Sequence, residues 1–269
     1  MPPYKNRRTM APDTPIRRYL SLTAAVCTLR DEHLRLTRVD TFDDPFEGSV
    51  PKKQIDDQVP IFSSHYSLVD SGTRVGLEQP RPEDPWTAVS RRRRAKTRAA
   101  HVSCWAAGPE SEAMWRLYCE DEGVQGQGVA LESTLARVEN SVNVLGLVVS
   151  PMTYRYYHEG PAFYDELDAF FHKRLGFAHE NEVRLMKYDD DHYWRLEEAG
   201  RNATALEQLP THIFLPWPAA DTVERLVVSP YASEDYERCA REQISSISKP
   251  LAERLTLSVL SGRLHGPQF

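Results

Sequence analysis

Apolar and polar positions change their period several times along the chain, and each change marks an element. "IRRYL" (Ile16–Leu20) reads as a short strand, and Thr23–Arg30 shifts to helical spacing. "HLRLTRV" then alternates through Leu34 and Leu36 to Val39 as a half-buried strand does. "DTFDDPFEGS" has the composition of a turn-rich loop, and Pro80, Pro82 and Pro85 break regular structure before a helix predicted from about Trp86 to Arg98. "AAHVSCWAA" reads as a buried strand. "SEAMWRLYCEDE" reads as a helix with Ala113, Met114, Leu117 and Tyr118 on its apolar side and Ser111 placed to cap it.

Further strands are expected in "GQGVALEST" and "SVNVLGLVVSPMTYRYY". In "GPAFYDELDAFFHKRLG", Phe163, Leu167, Phe170, Phe171 and Leu175 form a helical stripe that Gly176 ends. "HENEVRLMKY" sets Val183 and Leu185 against Glu182 and Arg184, as in a strand, and "VERLVVSPYASEDYERCAREQI" reads as strand, turn, helix. Strands and helices mix without regular βαβ alternation, repeats or heptads, which predicts an α+β fold. Residues 1–15 read as a flexible lead-in and 16–269 as one domain.

Composition narrows the function classes. The 269 residues are 41% hydrophobic and 27% charged, ordinary for a globular chain able to bury a real core. A net charge of −6 argues against a general polyanion binder but leaves room for a local basic patch. The chain holds no run of about 18 apolar residues, and its start lacks the apolar stretch of a secretory signal, so no membrane partner is expected. Cys27, Cys104, Cys119 and Cys239 lack CxxC spacing, which argues against zinc or a disulfide framework and suits a reducing cytoplasm. The nine histidines show no HxxxH or HExxH spacing, so no metal is expected.

The chemistry concentrates in a few places. "GFAHENEVRL" carries Glu180 and Glu182, which in a strand project from one face. They form either a solvated face paired with Lys173, Arg174 or Arg184, or a pair of carboxylates facing a reaction. Spacing alone favours the solvated face. Ser103 has no GxSxG elbow and is available to position a ligand, while Cys104 reads as core. Trp115 and Tyr118, three apart, read as core packing. Asp43, Asp44 and Glu47 do not have calcium-loop spacing. Arg91, Arg92, Arg93 and Arg94, extended by Lys96 and Arg98, form either a solvated helix face or a set of phosphate contacts for nucleic acid.

Taken in order, "RRYL", "TFDDPFEG", "VSCWAAGPESEAMWRLYCEDEGVQGQGVALEST", "KRLGFAHENEVRL" and "LVVSPYASEDYER" resemble a bacterial family, domain-of-unknown-function family 2971, over roughly Arg17 to Glu242. More distantly, the order of first-strand arginine, serine strand and late Glu-x-Glu strand resembles mono-ADP-ribosyltransferases of the Arg–Ser–Glu type. That resemblance implies a single domain with a mixed, mainly antiparallel split β-sheet flanked by helices. It implies NAD as co-substrate, with Arg18 or Arg17, Tyr19, Ser103, Trp105 and Arg184 at the cofactor and Trp105, Tyr154 or Tyr156 stacking on a ring. Glu182 would contact the nicotinamide ribose and Glu180 would position the acceptor nucleophile. The implied partners are a protein or nucleic-acid acceptor, in a toxin or phage-defence setting, and a cognate inhibitor protein. The serine strand reads Ser-Cys-Trp and so lacks the second hydroxyl of the Ser-Thr-Ser pattern.

Overall fold

Ser21 ends the first strand and begins the first helix. Its backbone is still extended, as an N-cap residue's is, and its hydroxyl accepts the Ala24 N–H that the helix leaves unbonded. The computed structural model of the chain describes residues 10–57 (without 52 and 55), 85–156 (without 122 and 143), 166–199 and 210–262. The first half runs β1 (Pro15–Leu20), α1 (Leu22–Asp31), β2 (His33–Arg38), α2 (Pro85–Ala99), β3 (Ala100–Ala107), α3 (Glu112–Tyr118), β4 (Glu120–Asp121), β5 (Val124–Gln125), β6 (Val129–Thr134) and α4 (Leu135–Ser141). The second half runs β7 (Leu147–Pro151), β8 (Thr153–Arg155), β9 (His172–Arg174), β10 (Glu182–Tyr188), α5 (Asp190–Ala199), β11 (His212–Pro216), α6 (Ala219–Thr222), β12 (Arg225–Val228), α7 (Glu234–Ile247), α8 (Lys249–Glu253) and β13 (Leu255–Leu257).

Nine of the strands form one mixed sheet in the order β11-β2-β3-β1-β6-β12-β13, with β10 on β3 and β7 on β10. Every pairing in it is antiparallel except β12 with β13. The α+β class is therefore as the pattern predicts.

The sheet forks at β3. Strand β10 pairs with β3 from Ala100 to Ala106 along one edge. The other edge is shared: β2 takes His101 and Val102, and β1 takes Ala106 and Ala107. Ser103, Cys104 and Trp105 face the opening between those two strands. The Ala107 N–H bonds toward the β10 side and the Gly108 N–H toward β1. Backbone direction alternates along a strand, so the N–H and C=O of Cys104 are turned into the opening.

The two faces of the sheet differ. One carries the main core, with Ile16, Leu34, Leu36, Leu131 and Leu185 under α1 and α7, and the Trp105 ring edge-on to Trp217 at 6.1 Å. The other face holds two smaller apolar clusters. Val102, Val148, Met186, Phe170 and Phe171 form one, and Tyr19, Ala106, Trp115, Ala130 and Val227 the other. The polar patch between them holds Arg17, Cys104, Glu182 and Arg184, which share this face by the strand register.

Several expectations need correction. Residues 1–9 of the predicted lead-in lie outside the described residues. Residues 10–14 are anchored: Met10 packs on the core, and the carbonyls of Pro12 and Thr14 accept from Ala136 and Leu135. The predicted helix over 163–175 is instead a 3-10 turn at Glu166–Phe171 followed by β9; Phe163 lies outside the described residues. A spacing of three suits both helix types, and in a 3-10 turn it stacks Leu167 on Phe170 directly. Strand β10 begins at Glu182, one residue after Asn181 takes a left-handed φ of 42°, so Glu180 sits in a 3-10 turn and not in the strand. On α3 the buried pair is Met114 and Trp115, because Trp115 meets Tyr19 edge-on at 4.8 Å. Ser111 stands at its N-cap but makes no side-chain cap bond.

Gly128 lies where β6 passes β1. A Cβ there would press on the Leu20 carbonyl and come within 2.7 Å of the Cys119 sulfur. Gly128→Ala is expected to destabilise the fold by about 1–3 kcal/mol. Urea unfolding would show this as a lower midpoint at unchanged slope; an unchanged midpoint would mean that the strands part without cost.

Candidate functional site

The opening between β1 and β2 lies under a cavity of about 620 Å³. The forked strands form its floor, and the loop after β2, the β9–β10 connection and Tyr118 of α3 form its walls. Its volume falls in the range of small-molecule and cofactor sites, and its lining mixes aromatic rings with charged groups.

Arg184 organises the floor. It is fully buried at 0% exposure, and its Nε donates to Glu182 Oε1 at 2.8 Å. Its Nη1 donates to Glu47 Oε1 at 2.6 Å and to the Phe170 carbonyl at 2.7 Å. Lys173 of β9 joins the two glutamates, with its Nζ 2.7 Å from Glu182 and 2.5 Å from Glu180. The Tyr118 hydroxyl donates to the other Glu180 oxygen at 2.5 Å. The Glu182 backbone N–H donates to the Tyr154 hydroxyl at 2.7 Å, which fixes the entry to β10. The result is a continuous chain from Tyr118 through Glu180, Lys173, Glu182 and Arg184 to Glu47.

Glu180 and Glu182 are 3% and 4% exposed, so the solvated-face reading does not hold. Burial by itself pushes the Glu182 carboxyl up, but Arg184 and Lys173 outweigh it and hold the group down at about 2. Burial lowers the Lys173 ammonium, yet Glu182 and Glu180 leave it above its ordinary value. The Cys104 thiol is raised by burial and by Glu182, to which it hydrogen-bonds. Burial and the bond to Glu180 raise the Tyr118 phenol, so it stays a donor at neutral pH.

The other predicted site residues divide. Arg17, Arg18 and Tyr19 all border the cavity. Arg17 pairs with Glu132 at 2.5 Å and also donates to the Gly108 carbonyl. Arg18 reaches across the opening to the Arg35 carbonyl at 2.9 Å. Ser103 is not turned toward the cavity. Strand alternation puts it on the core face, where its hydroxyl accepts from the Trp105 indole at 3.2 Å, and Cys104 faces the cavity in its place. Trp105, at 1% exposure, touches the cavity's border, but its ring is packed on Trp217 and not open for stacking. Arg184 lies beneath the cavity as a partner of carboxylates and does not line it. Asp44 and Glu47, weighed as metal ligands, are engaged by Arg174 at 2.9 Å and by Arg184.

The arginine run of α2 is not one basic face. Arg91 is 6% exposed and paired with Glu197 of α5 at 2.5 Å, so it is not available to nucleic acid. Arg92 lies 3.4 Å from the same carboxylate, and Arg93 turns to the Pro45 and Glu47 carbonyls. A helix turns 100° per residue, so four adjacent arginines spread around it.

Sequence reasoning named Lys173 and Arg184 as partners of the acidic pair, though on a solvated face, and missed the roles of Tyr118, Cys104 and Glu47. Lys173 and Arg174 stand seven and six residues before Glu180, close enough in the chain to be a usable signal. Tyr118 comes from a separate helix, and nothing local marks it.

Two outcomes test the buried chain. Arg184→Met leaves Glu182 and Glu47 without their shared cation and is expected to cost about 3–5 kcal/mol in urea unfolding. A Glu182→Gln change made on that background recovers part of the loss. The Glu182 carboxyl is depressed in the folded state, so its contribution is complete above pH 4.5, the unfolded value, and is lost as pH falls toward 2. Stability of the parent chain should therefore fall more steeply over that window than that of Glu182→Gln; parallel curves would contradict the assignment.

Comparison with known proteins finds no matching family model, no matching curated protein and no matching solved structure.

Proposed function

We propose that the chain is an NAD-dependent mono-ADP-ribosyltransferase-like enzyme, acting in the cytoplasm, that cleaves the nicotinamide–ribose bond and passes ADP-ribose to a protein or nucleic-acid acceptor. The observation that carries this reading is the pair of buried glutamates, Glu180 and Glu182, set beside a cavity whose floor also bears two first-strand arginines. The likeness of several segments to domain-of-unknown-function family 2971 belongs to the same proposal, as does the ADP-ribosyltransferase-like fold.

The chemistry fits these groups. Loss of nicotinamide leaves an oxocarbenium-like sugar, and a carboxylate held ionised at the cavity floor stabilises that charge. Glu182 has this character, because Arg184 and Lys173 keep it ionised at any physiological pH. Glu180, whose two oxygens accept from Tyr118 and Lys173, takes the proton of an incoming acceptor in this reading. Lys173, shared by both carboxylates, offsets their mutual repulsion.

A second reading is binding of a nucleotide without cleavage. It is favoured by the engagement of both Glu182 oxygens by cations, Oε1 by Arg184 and Oε2 by Lys173. The nucleic-acid-binding alternative draws less support, because Arg91 is buried against Glu197.

Nicotinamide release from NAD, measured on the purified chain with RNA and cell lysate as acceptors, separates these readings. The transferase predicts release that falls about 100-fold or more in Glu182→Gln while NAD binding changes little. Glu180→Gln should impair transfer more than hydrolysis. Binding without release would favour the second reading, and no binding at all would remove both.

A further inference from the structure

The outer face of the β2–β11 ribbon carries positive charge that its own residues do not answer. Alternation puts Leu34, Leu36, Ile213 and Leu215 on the core face. The opposite face therefore sets His33 beside Pro216, Arg35 beside Phe214 and Thr37 beside His212. Neither strand, HLRLTR or HIFLP, contains an acidic residue, in a chain whose net charge is −6. Arg35 is exposed, and among the described residues no carboxylate pairs with it. Its guanidinium donates instead to His212 Nε2, a neutral acceptor. The other ring nitrogen lies 2.8 Å from the Thr211 hydroxyl. Burial lowers the His212 imidazole, and Arg35 and Arg38 act on it in the same direction as cations.

Phe214 stands among these charges. It is 61% exposed, and the His33 ring meets it edge-on at 6.5 Å. An exposed ring flanked by a guanidinium and two imidazoles suits a ligand with a flat π face and negative charge close to it. Two other occupants fit less well. A second copy of the chain or an apolar partner needs a continuous apolar patch, and Phe214 is the sole exposed large hydrophobic side chain on these two strands. A peptide strand added along β11 needs backbone donors, and neither Pro216 in the strand nor Pro210 just before it supplies one. The face is also separate from the arginine run of α2, where Arg91 is taken up by Glu197. Thr37 belongs to the face and lines the cavity, so the two are continuous.

We propose that this face of β2 and β11 is a docking surface for single-stranded nucleic acid, with a base stacked on Phe214 and the backbone phosphates at Arg35. A duplex does not meet the requirement, because its bases already stack on one another and cannot offer a face to Phe214. The surface stands whether or not NAD is cleaved. One consequence rests on the transferase reading: a strand held here passes Thr37 into the cavity that Glu180 lines, which makes nucleic acid and not protein the acceptor.

The test is fluorescence anisotropy of labelled single-stranded RNA and DNA of about 12 nucleotides with the full chain, beside a duplex of the same sequence. The single strands are expected to bind, and the duplex to bind at least about tenfold more weakly. Phe214→Ala should weaken single-strand binding about tenfold and leave its salt dependence unchanged. Arg35→Gln should weaken binding and reduce the slope of log K against log salt by about 0.7, as loss of one phosphate contact on a single strand does. Arg238→Gln, on the exposed face of α7, should bind as the parent does. Both test positions are exposed, so their thermal midpoints should match the parent's. The inference is overturned if the parent binds no single strand, if the duplex binds as tightly, or if Phe214→Ala and Arg35→Gln bind as the parent does. It is overturned equally if sedimentation shows a dimer that Phe214→Ala dissociates, since the face would then serve self-association. Strand binding without nicotinamide release would support the surface while removing the transferase reading. Release without strand binding would do the reverse.

Discussion

The fold depends on a fully buried arginine that must be neutralised. Arg184 lies in the middle of β10, and its side chain points to the face of the sheet that carries no large core. A guanidinium at that depth persists because Glu182, Glu47 and the Phe170 carbonyl all accept from it. Those three partners come from the strand itself, from the loop after β2 and from the 3-10 turn before β9. One side chain therefore ties three distant segments of chain around one point. The two apolar clusters on this face stand on either side of the buried ion network and do not merge into one core.

The same requirement shapes the cavity. Glu182 has excess acceptor capacity beyond Arg184, which draws in Lys173, and Lys173 in turn holds Glu180. The connection between β9 and β10 is compact because both of its ends are tied to this network. Asn181, in its left-handed conformation, reverses the chain between the two glutamates, and its side chain donates to the Ala107 carbonyl at 2.8 Å. The carboxylates therefore converge by a turn and not by strand alternation. Arg174, the residue after Lys173, extends the arrangement outward, bonding Asp44 between the rings of Phe46 and Phe177.

Local pattern made much of the fold legible. Strands β1, β2, β3, β6, β10 and β12 and helices α1, α2, α3 and α7 follow from period and turn chemistry, because each buries one face and the burial imprints a spacing on the residues. The segment around Leu167–Leu175 misled, since three-residue spacing does not separate an α-helix from a 3-10 turn. The choice between Ser103 and Cys104 depended on strand phase. Both neighbours of that pair are apolar and buried, so alternation of polarity carried no information there.

The sequence by itself determined the α+β class, most element positions and the presence of an acidic pair preceded by two cations. Those properties are local: propensity, period and charge act between residues a few positions apart. Only the tertiary structure decided that Glu180 and Glu182 are buried, that Arg184 supports Glu182 from beneath, and that Arg91 is taken up by Glu197. Each of those facts depends on a partner many residues away, such as Glu47 for Arg184 or Tyr118 for Glu180. Such pairings arise from the long-range closure of the sheet, and in particular from the fork at β3 that makes room for the cavity.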